Sequence, residues 1–337
     1  MHILLTSIGR RSYLVRYFRQ TFNPKRHIHV SNSEPSHAFT LADGHFIAPL
    51  IYDTGYIDAV LHYCKKHAIT YVLSVFDIDL LVLAQHQQRF TDAGITLILA
   101  PEDSVERCND KWETHQLLLS LGIGSPNTVL NLDQAKQAIN DGSLQFPLVV
   151  KPRWGMASIG VYFADNLAEL EVFYAKCQQD IEKSHLKYES ERTKDAAIII
   201  QQKLAGQEHG LDVVNSLNQS YIGCAAKQKV SMRAGETDVG LTKSAQPFEE
   251  IAKRLSGAIK HKGILSVDCF VCEDGLYVTE LNCRISGHYP VTHMAGFDYT
   301  KILQQDIETS DNTALKVSYT EGLYVGKELV PVLLGNP

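Results

Sequence analysis

The sequence holds no apolar stretch near the roughly 20 residues that a bilayer-spanning helix needs. The run that opens MHILLTSIGRRSYLVRYF is cut early by Gly9, Arg10 and Arg11. Neither a membrane span nor a secretory leader is expected, and a soluble, cytoplasmic protein is. A basic excess is also missing. Against 32 Lys and Arg stand 38 Asp and Glu, a formal net charge of −6, so there is no global positive field to hold nucleic acid or anionic lipid. The seven cysteines are an odd set that fits reduced thiols better than a disulfide scaffold. Cys269 and Cys272 make one CxxC, but no second pair follows at zinc spacing, and both read as core positions of an alternating strand. Fourteen histidines form no HExxH pair. The dinucleotide fingerprint GxGxxG is absent after the first strand, where Gly9 stands alone, which argues against nucleotide binding there.

What is present is apolar content of 45% in 337 residues, enough for two or three cores. Strand-like segments at 2–8, 27–32, 71–76 and 95–100 alternate with helical ones, including 55–67 and 79–91. This predicts a small α/β domain with a mostly parallel sheet joined by right-handed crossovers. Asp77 and Asp79 follow the strand YVLSVF at its carboxyl end, where such sheets open a crevice; they face a substrate or cap the next helix. Farther on, Leu117, Leu118 and Leu121 give a helical apolar face closed by Gly122 and Pro126. FPLVVKPRWGMASIGV, 146–161, reads as a buried strand running into a loop with Gly155, Ser158 and Gly160. The charge-rich 178–194 reads as a solvated helix end and loop, and 196–204 as another apolar strand. Strands dominate from 206 on, interrupted by a helix at 247–261.

The stretch VTELNCRISG alternates Glu280, Asn282 and Arg284 with Leu281 and Cys283, so one strand face is core and the other is wet or liganded. Before it, Glu273, Asp274 and Gly275 suggest a three-residue hairpin turn with glycine at the left-handed position. That turn pairs Cys272 with Leu276 and sets Asp268 opposite Glu280. Facing carboxylates with Cβ atoms about 5 Å apart need a counterion. With Asn282 they form a hard-oxygen set suited to Mg²⁺ shared with phosphate and water, and Arg284 is aimed at a negative oxygen. A strand face that merely meets water carries the same residues, and this alternative stays open on the stretch alone. Lys151, at the mouth of a buried strand beside the glycine loop, can neutralise phosphate, and Lys111 is a second candidate cation, although a lone lysine is more often a surface residue.

These pieces together, in order DKWETHQLLLSLGI, FPLVVKPRWGMASIGV, QQKLAGQEHGLDV and VDCFVCEDGLYVTELNCRISG, resemble the ATP-grasp carboxylate ligases, and among them the carbamoyl-phosphate-synthase-like carboxylate-amine ligase branch. The resemblance covers about 108–290. It implies an α/β and α+β architecture: a small parallel-sheet, Rossmann-like pre-ATP-grasp domain over 1–100, a lid-bearing small ATP-grasp domain over 101–204, and a metal- and substrate-binding domain over 205–337. It implies that Lys111, Lys151 and Ser158 in its loop meet ATP phosphates, that Gln202, Lys203 and Leu204 meet adenine, and that Glu208 accepts from the ribose. Asp268, Glu280 and Asn282 would bind Mg²⁺, with Mn²⁺ as an acceptable substitute, and Arg284 would steady the transferring group. Gln202 stands where many members have an acid, and Asp268 where glutamate is frequent.

The implied reaction converts a small-molecule carboxylate to an acyl phosphate, which a nucleophile, an amine by preference, then displaces with release of ADP and phosphate. Closure of the glycine loop would exclude water, with Trp154 as its lid hydrophobe or as a surface aromatic at a partner interface. The segment 224–244 is the expected place for substrate contacts, with Arg233 on an acidic group or phosphate and Lys227 and Lys229 as weaker candidates. His288 and His293 line the acceptor pocket or cap and pack. A homodimer is compatible with this reading. Two others compete: a carbamoyl-phosphate-type or other small-molecule phosphorylating enzyme, and a non-catalytic Mg-ATP-responsive module. One grasp region without a duplicate, and no recognisable glutaminase cysteine motif, weigh against complete carbamoyl phosphate synthesis.

Overall fold

Ile3–Thr6 (β1), Ile28–Asn32 (β2), Gly44–Ile47 (β3), Tyr71–Ser74 (β4) and Thr96–Leu97 (β5) pair in parallel in the order β3-β2-β1-β4-β5. The computed structural model describes residues 2–22, 27–156, 158–233, 235–309 and 314–334; Ala157 of the glycine loop and Ala234 of the 224–244 segment lie outside them. Among the described residues no helix is long and apolar enough to cross a membrane. Strand order reverses between β1 and β4, which makes the carboxyl ends of these two strands a topological switch point. Arg11 and Asp77 follow β1 and β4 there. The helix expected at 79–91 is two helices, Asp77–Gln85 and Gln87–Asp92, and the strand expected at 95–100 pairs only over β5.

Thr128–Val129 (β6), Leu148–Pro152 (β7), Tyr162–Ala164 (β8) and Ile198–Gln202 (β9) form an antiparallel sheet in the order β6-β9-β7-β8. Its apolar face packs under the helices Leu132–Asn140 and Leu167–Lys183 in a core of its own, with Leu148, Val150, Leu170, Cys177 and Ile200. A third sheet is antiparallel and joins Gly206–Asn215 (β10), Tyr221–Arg233 (β11), Glu236–Lys243 (β12), Gly263–Cys272 (β13), Gly275–Asn282 (β14) and Tyr324–Gly326 (β15) in the order β14-β13-β10-β11-β12-β15.

The first and third sheets share their cores. Leu4, Val72 and Leu97 cluster with Leu211, Leu265 and Leu281, and Ile3 and Phe18 with Val214, Tyr289 and Phe297. The helix Lys111–Ser120 joins this body too, since Leu118 and Ile123 belong to the first cluster. The separately packed unit therefore runs from about β6 to β9, a shorter span than 101–204. Between it and the larger body lies the cavity described next.

Candidate active site

The hairpin β13–β14 carries the carboxylates. Its turn is one residue tighter than expected, with Gly275 paired to Cys272 and Leu276 to Val271. A bulge then inserts Thr279, whose hydroxyl donates to the Asp268 carbonyl at 3.2 Å, and this restores Asp268 opposite Glu280. The expected facing pair is present, although the expected Cys272–Leu276 pairing is not. The bulge re-aims the strand so that Glu280 and Asn282 face the cavity together.

That cavity, of about 700 Å³, is lined from all three sheets. Val149, Ile159, Phe163, Leu204 and Phe270 form apolar walls, while Arg11, Lys111, Lys151, Lys229 and Arg284 bring cations. Lys111 is set by its own helix start. Asp110 caps that helix by accepting from the backbone N–H of Trp112 and Glu113, and it also takes both arms of the Arg153 fork at 2.7 and 2.6 Å. The Lys111 ammonium donates to the Gly155 carbonyl at 2.5 Å and stands 3.6 Å from Glu280. Lys151, on β7, has no hydrogen-bond or ion-pair partner among the described residues. Burial and the Lys111 charge lower its pKa to about 8. It is a free ammonium facing the cavity.

Lys229, a weaker candidate from sequence, is central. Its ammonium, 4% exposed, bridges Glu208 at 2.7 Å and Asp268 at 2.9 Å. Burial alone would lower its pKa, but the two carboxylates outweigh this and hold it above the usual lysine range. In the same way burial opposes the charge on Asp268, yet Lys229 and His288 hold its carboxyl well below the usual carboxylate range. His288 sits 3.4 Å from Asp268 and shares a hydrogen bond with Ser266 at 2.9 Å; burial and the Lys227 charge push it down to about 4, so it is neutral. Gly210 makes room for its ring, since a Cβ there would approach Nε2 to 2.9 Å.

Arg284 lines the cavity but is already clasped. Its Nε and Nη2 donate to the two oxygens of Asp77 at 2.8 and 2.5 Å, and Nη2 also reaches the Asn282 oxygen at 3.3 Å. Asp77 thus ties the first domain to the hairpin. Asp79 instead is fully buried and accepts from Thr6, Ser7, Ser74 and Tyr56, which makes it a satisfied structural side chain.

Ser158, left-handed at φ 57°, and Leu204 line the cavity with Gln202 and Lys203. The Gln202 side chain is taken up by the Gln145 N–H at 3.0 Å and the Pro147 carbonyl at 3.5 Å, so the amide at this position serves the local fold. Lys203 is exposed, over the Phe163 ring. Arg233 is exposed, pairs with Asp238, and is not among the cavity-lining residues. Lys227 is fully buried against Asp212. His293 stacks on Tyr17, away from the cavity, and Trp154 is buried, donating to Thr193.

Arg11 was not singled out from sequence beyond its interruption of an apolar run. Its guanidinium donates to the Val75 carbonyl and has no carboxylate within ion-pair distance among the described residues. Only its place after β1, at the switch point, marks it.

The donor set fits a magnesium-bound nucleotide: two carboxylates and an amide on adjacent strands, cations around them, and apolar walls beyond. The arginine-specific large chain of carbamoyl phosphate synthase from Geobacillus stearothermophilus is 22% identical over 262 residues, 75% of this chain and 23% of that one. The match thus spans about a fifth of the length of such curated relatives. Among solved structures, the biotin carboxylase–βγ-ATP complex from Campylobacter jejuni superposes with a TM-score of 0.73 at 15% identity, covering 94% of this chain and 73% of that one. The L-amino acid ligase from Bacillus licheniformis gives 0.65 at 18%, covering 90% and 73%. Residues 3–98 match the PylC-like N-terminal domain, and residues 108–288, more than half of the 337, match the ATP-grasp domain. The chain belongs to the ATP-grasp family.

Proposed function

We propose that the protein joins a small-molecule carboxylate to an amine at the expense of ATP. A carboxylate oxygen bonds to the γ-phosphorus as the bond to ADP breaks. The amine nitrogen then bonds to the acyl carbon, the C–O bond to phosphate breaks, and the nitrogen loses a proton. The observation that carries this reading is the Lys151 ammonium, without a hydrogen-bond or ion-pair partner among the described residues and in Coulomb range of Glu280 and Asp268, where a group with several negative oxygens completes the charge balance.

Lys111 and Lys151 hold phosphate oxygens, and the apolar walls around Leu204 and Phe270 take the base. Asp268, Glu280 and Asn282 would hold Mg²⁺, with Mn²⁺ as a substitute, and a bound ion supplies neutralisation of phosphate charge. Lys229 holds Asp268 and Glu208 in place through its two ion pairs. Arg284, locked by Asp77, presents a fixed positive charge to the transferring group. Arg11 anchors the donor carboxylate, and Glu236, which lines the same cavity in Coulomb range of it, meets the amine.

Phosphate release measured over a panel of carboxylates, each with and without amines, tests the proposal. Turnover that needs both reactants supports it, and ATP consumption indifferent to the carboxylate contradicts it. For the anchoring role, Arg11→Gln should raise the KM for the carboxylate at least about tenfold with little change in ATP affinity; an unchanged KM removes Arg11 from that role.

A further inference from the structure

The amino ends of β1 and β2, opposite the cavity, carry three histidines. Ile3 pairs with Ile28 and Leu4 with His29 in a parallel ladder, so His2 stands beside His27. Alternation then puts His2, His27 and His29 on one face of the sheet. Their ring centroids lie 4.7 Å (His2–His27), 6.1 Å (His2–His29) and 6.2 Å (His27–His29) apart, and one donor nitrogen of each is within 4.8 Å of the others.

In His2 and His29 one ring nitrogen is already engaged. His2 Nδ1 donates to the His67 carbonyl at 3.0 Å, and His29 Nδ1 is 2.9 Å from the Tyr63 hydroxyl. His29 is 4% exposed and its Nε2 has no hydrogen-bond partner. One nitrogen held by a carbonyl or hydroxyl and the other left free is the outer support that orients metal-bound imidazoles. Gly44 keeps the space for the His29 ring, since a Cβ there would come 2.5 Å from Nδ1. The backbone is fixed as well: the His2 carbonyl accepts from Thr70 and Tyr71, and the His27 carbonyl from Ile3. His27 is exposed and leaves an entry path.

We propose that His2, His27 and His29 form a site for a borderline divalent transition ion, Zn²⁺ foremost, with water in the fourth position. Three imidazoles suit zinc and disfavour magnesium, so this site and the carboxylate cluster select different ions. Its effect is to clip the start of β1 to β2, which stabilises the folded chain by linkage.

The test is a zinc titration of the metal-free full chain by calorimetry in saturating Mg²⁺, which keeps the carboxylate cluster occupied, with the Zn²⁺-dependent change in Tm read in parallel. One ion per chain is expected, with a rise in Tm. His27→Gln, at an exposed position, and His2→Gln should each weaken zinc at least about tenfold, abolish the rise and leave Mg-ATP binding unchanged. Absence of zinc binding at micromolar concentration overturns the proposal. So does a zinc site of undiminished affinity in both variants, which would place the ion elsewhere.

Discussion

The contact between Asp77 and Arg284 makes a demanding test, because it joins the first domain to the hairpin through one ion pair. Both nitrogens of the guanidinium fork used here reach the carboxylate, at 2.8 and 2.5 Å, and the side chains are only 12% and 9% exposed. Asp77→Asn keeps the shape and one acceptor but removes the charge. Breaking a buried pair by removing one partner costs about 3–5 kcal/mol. Arg284 retains the Asn282 oxygen and the Ile285 carbonyl and borders a wet cavity, so we place the loss near about 2 kcal/mol, below that range. Urea unfolding of wild type, Asp77→Asn, Arg284→Gln and the double variant measures it. The singles should lower the midpoint without changing the slope, and the cycle should show coupling of at least about 1 kcal/mol. A loss under about 0.5 kcal/mol with additive singles would refute the clasp.

Glu280→Gln should give a folded protein whose turnover falls by at least about 100-fold, or roughly 2.7 kcal/mol in barrier, read by steady-state kinetics once a substrate pair is in hand; unchanged turnover would mean a merely solvated face. Arg284→Lys should also lower turnover, because an ammonium cannot hold Asp77 with two parallel bonds. With Lys151 near pKa 8 in the free protein, ATP affinity should fall about threefold from pH 7.5 to 8.5 as the ammonium is lost, and Lys151→Arg should remove that slope in a binding titration. His261 is fully buried, bonded to the Val213 carbonyl and pushed down to about 4, chiefly by burial. Its folded pKa lies below the unfolded value of about 6.5, so the unfolded chain takes the proton first and stability falls as pH drops from 6.5 toward 4. The loss is about 1.6 kcal/mol between pH 6.5 and 5, checked by urea midpoints, and His261→Gln should flatten it.

Period-two alternation made the hairpin legible, and the same pattern placed Asp268 across from Glu280. It did so through an error that cancelled. The turn is one residue shorter than a left-handed Gly275 would make it, and the Thr279 bulge returns the missing residue. Bulges leave little trace in composition, so that compensation could not be read in advance. Lys151 and Lys111 were visible because each sits at the start or mouth of an element. Lys229 and Lys227 look alike as alternating lysines on one strand; which of them meets the cavity depends on β10 and β13 beside them, and only pairing across the sheet reveals that. Arg233, six residues past Lys227, the last buried position of its strand, follows the strand out to solvent. Arg11 and Asp77 lie far from the ATP-grasp segments in sequence, and the shared core of the first and third sheets brings them to the site.

The most direct test of the central claim is chemical capture of the activated carboxylate. Purified protein is given ATP, Mg²⁺, a panel of small carboxylates and hydroxylamine in place of the amine, and hydroxamate and nucleotide products are quantified together. For the right carboxylate, hydroxamate is expected in equal amount with ADP and phosphate, and all three should be lost in Glu280→Gln. AMP and pyrophosphate as the stoichiometric products would contradict it.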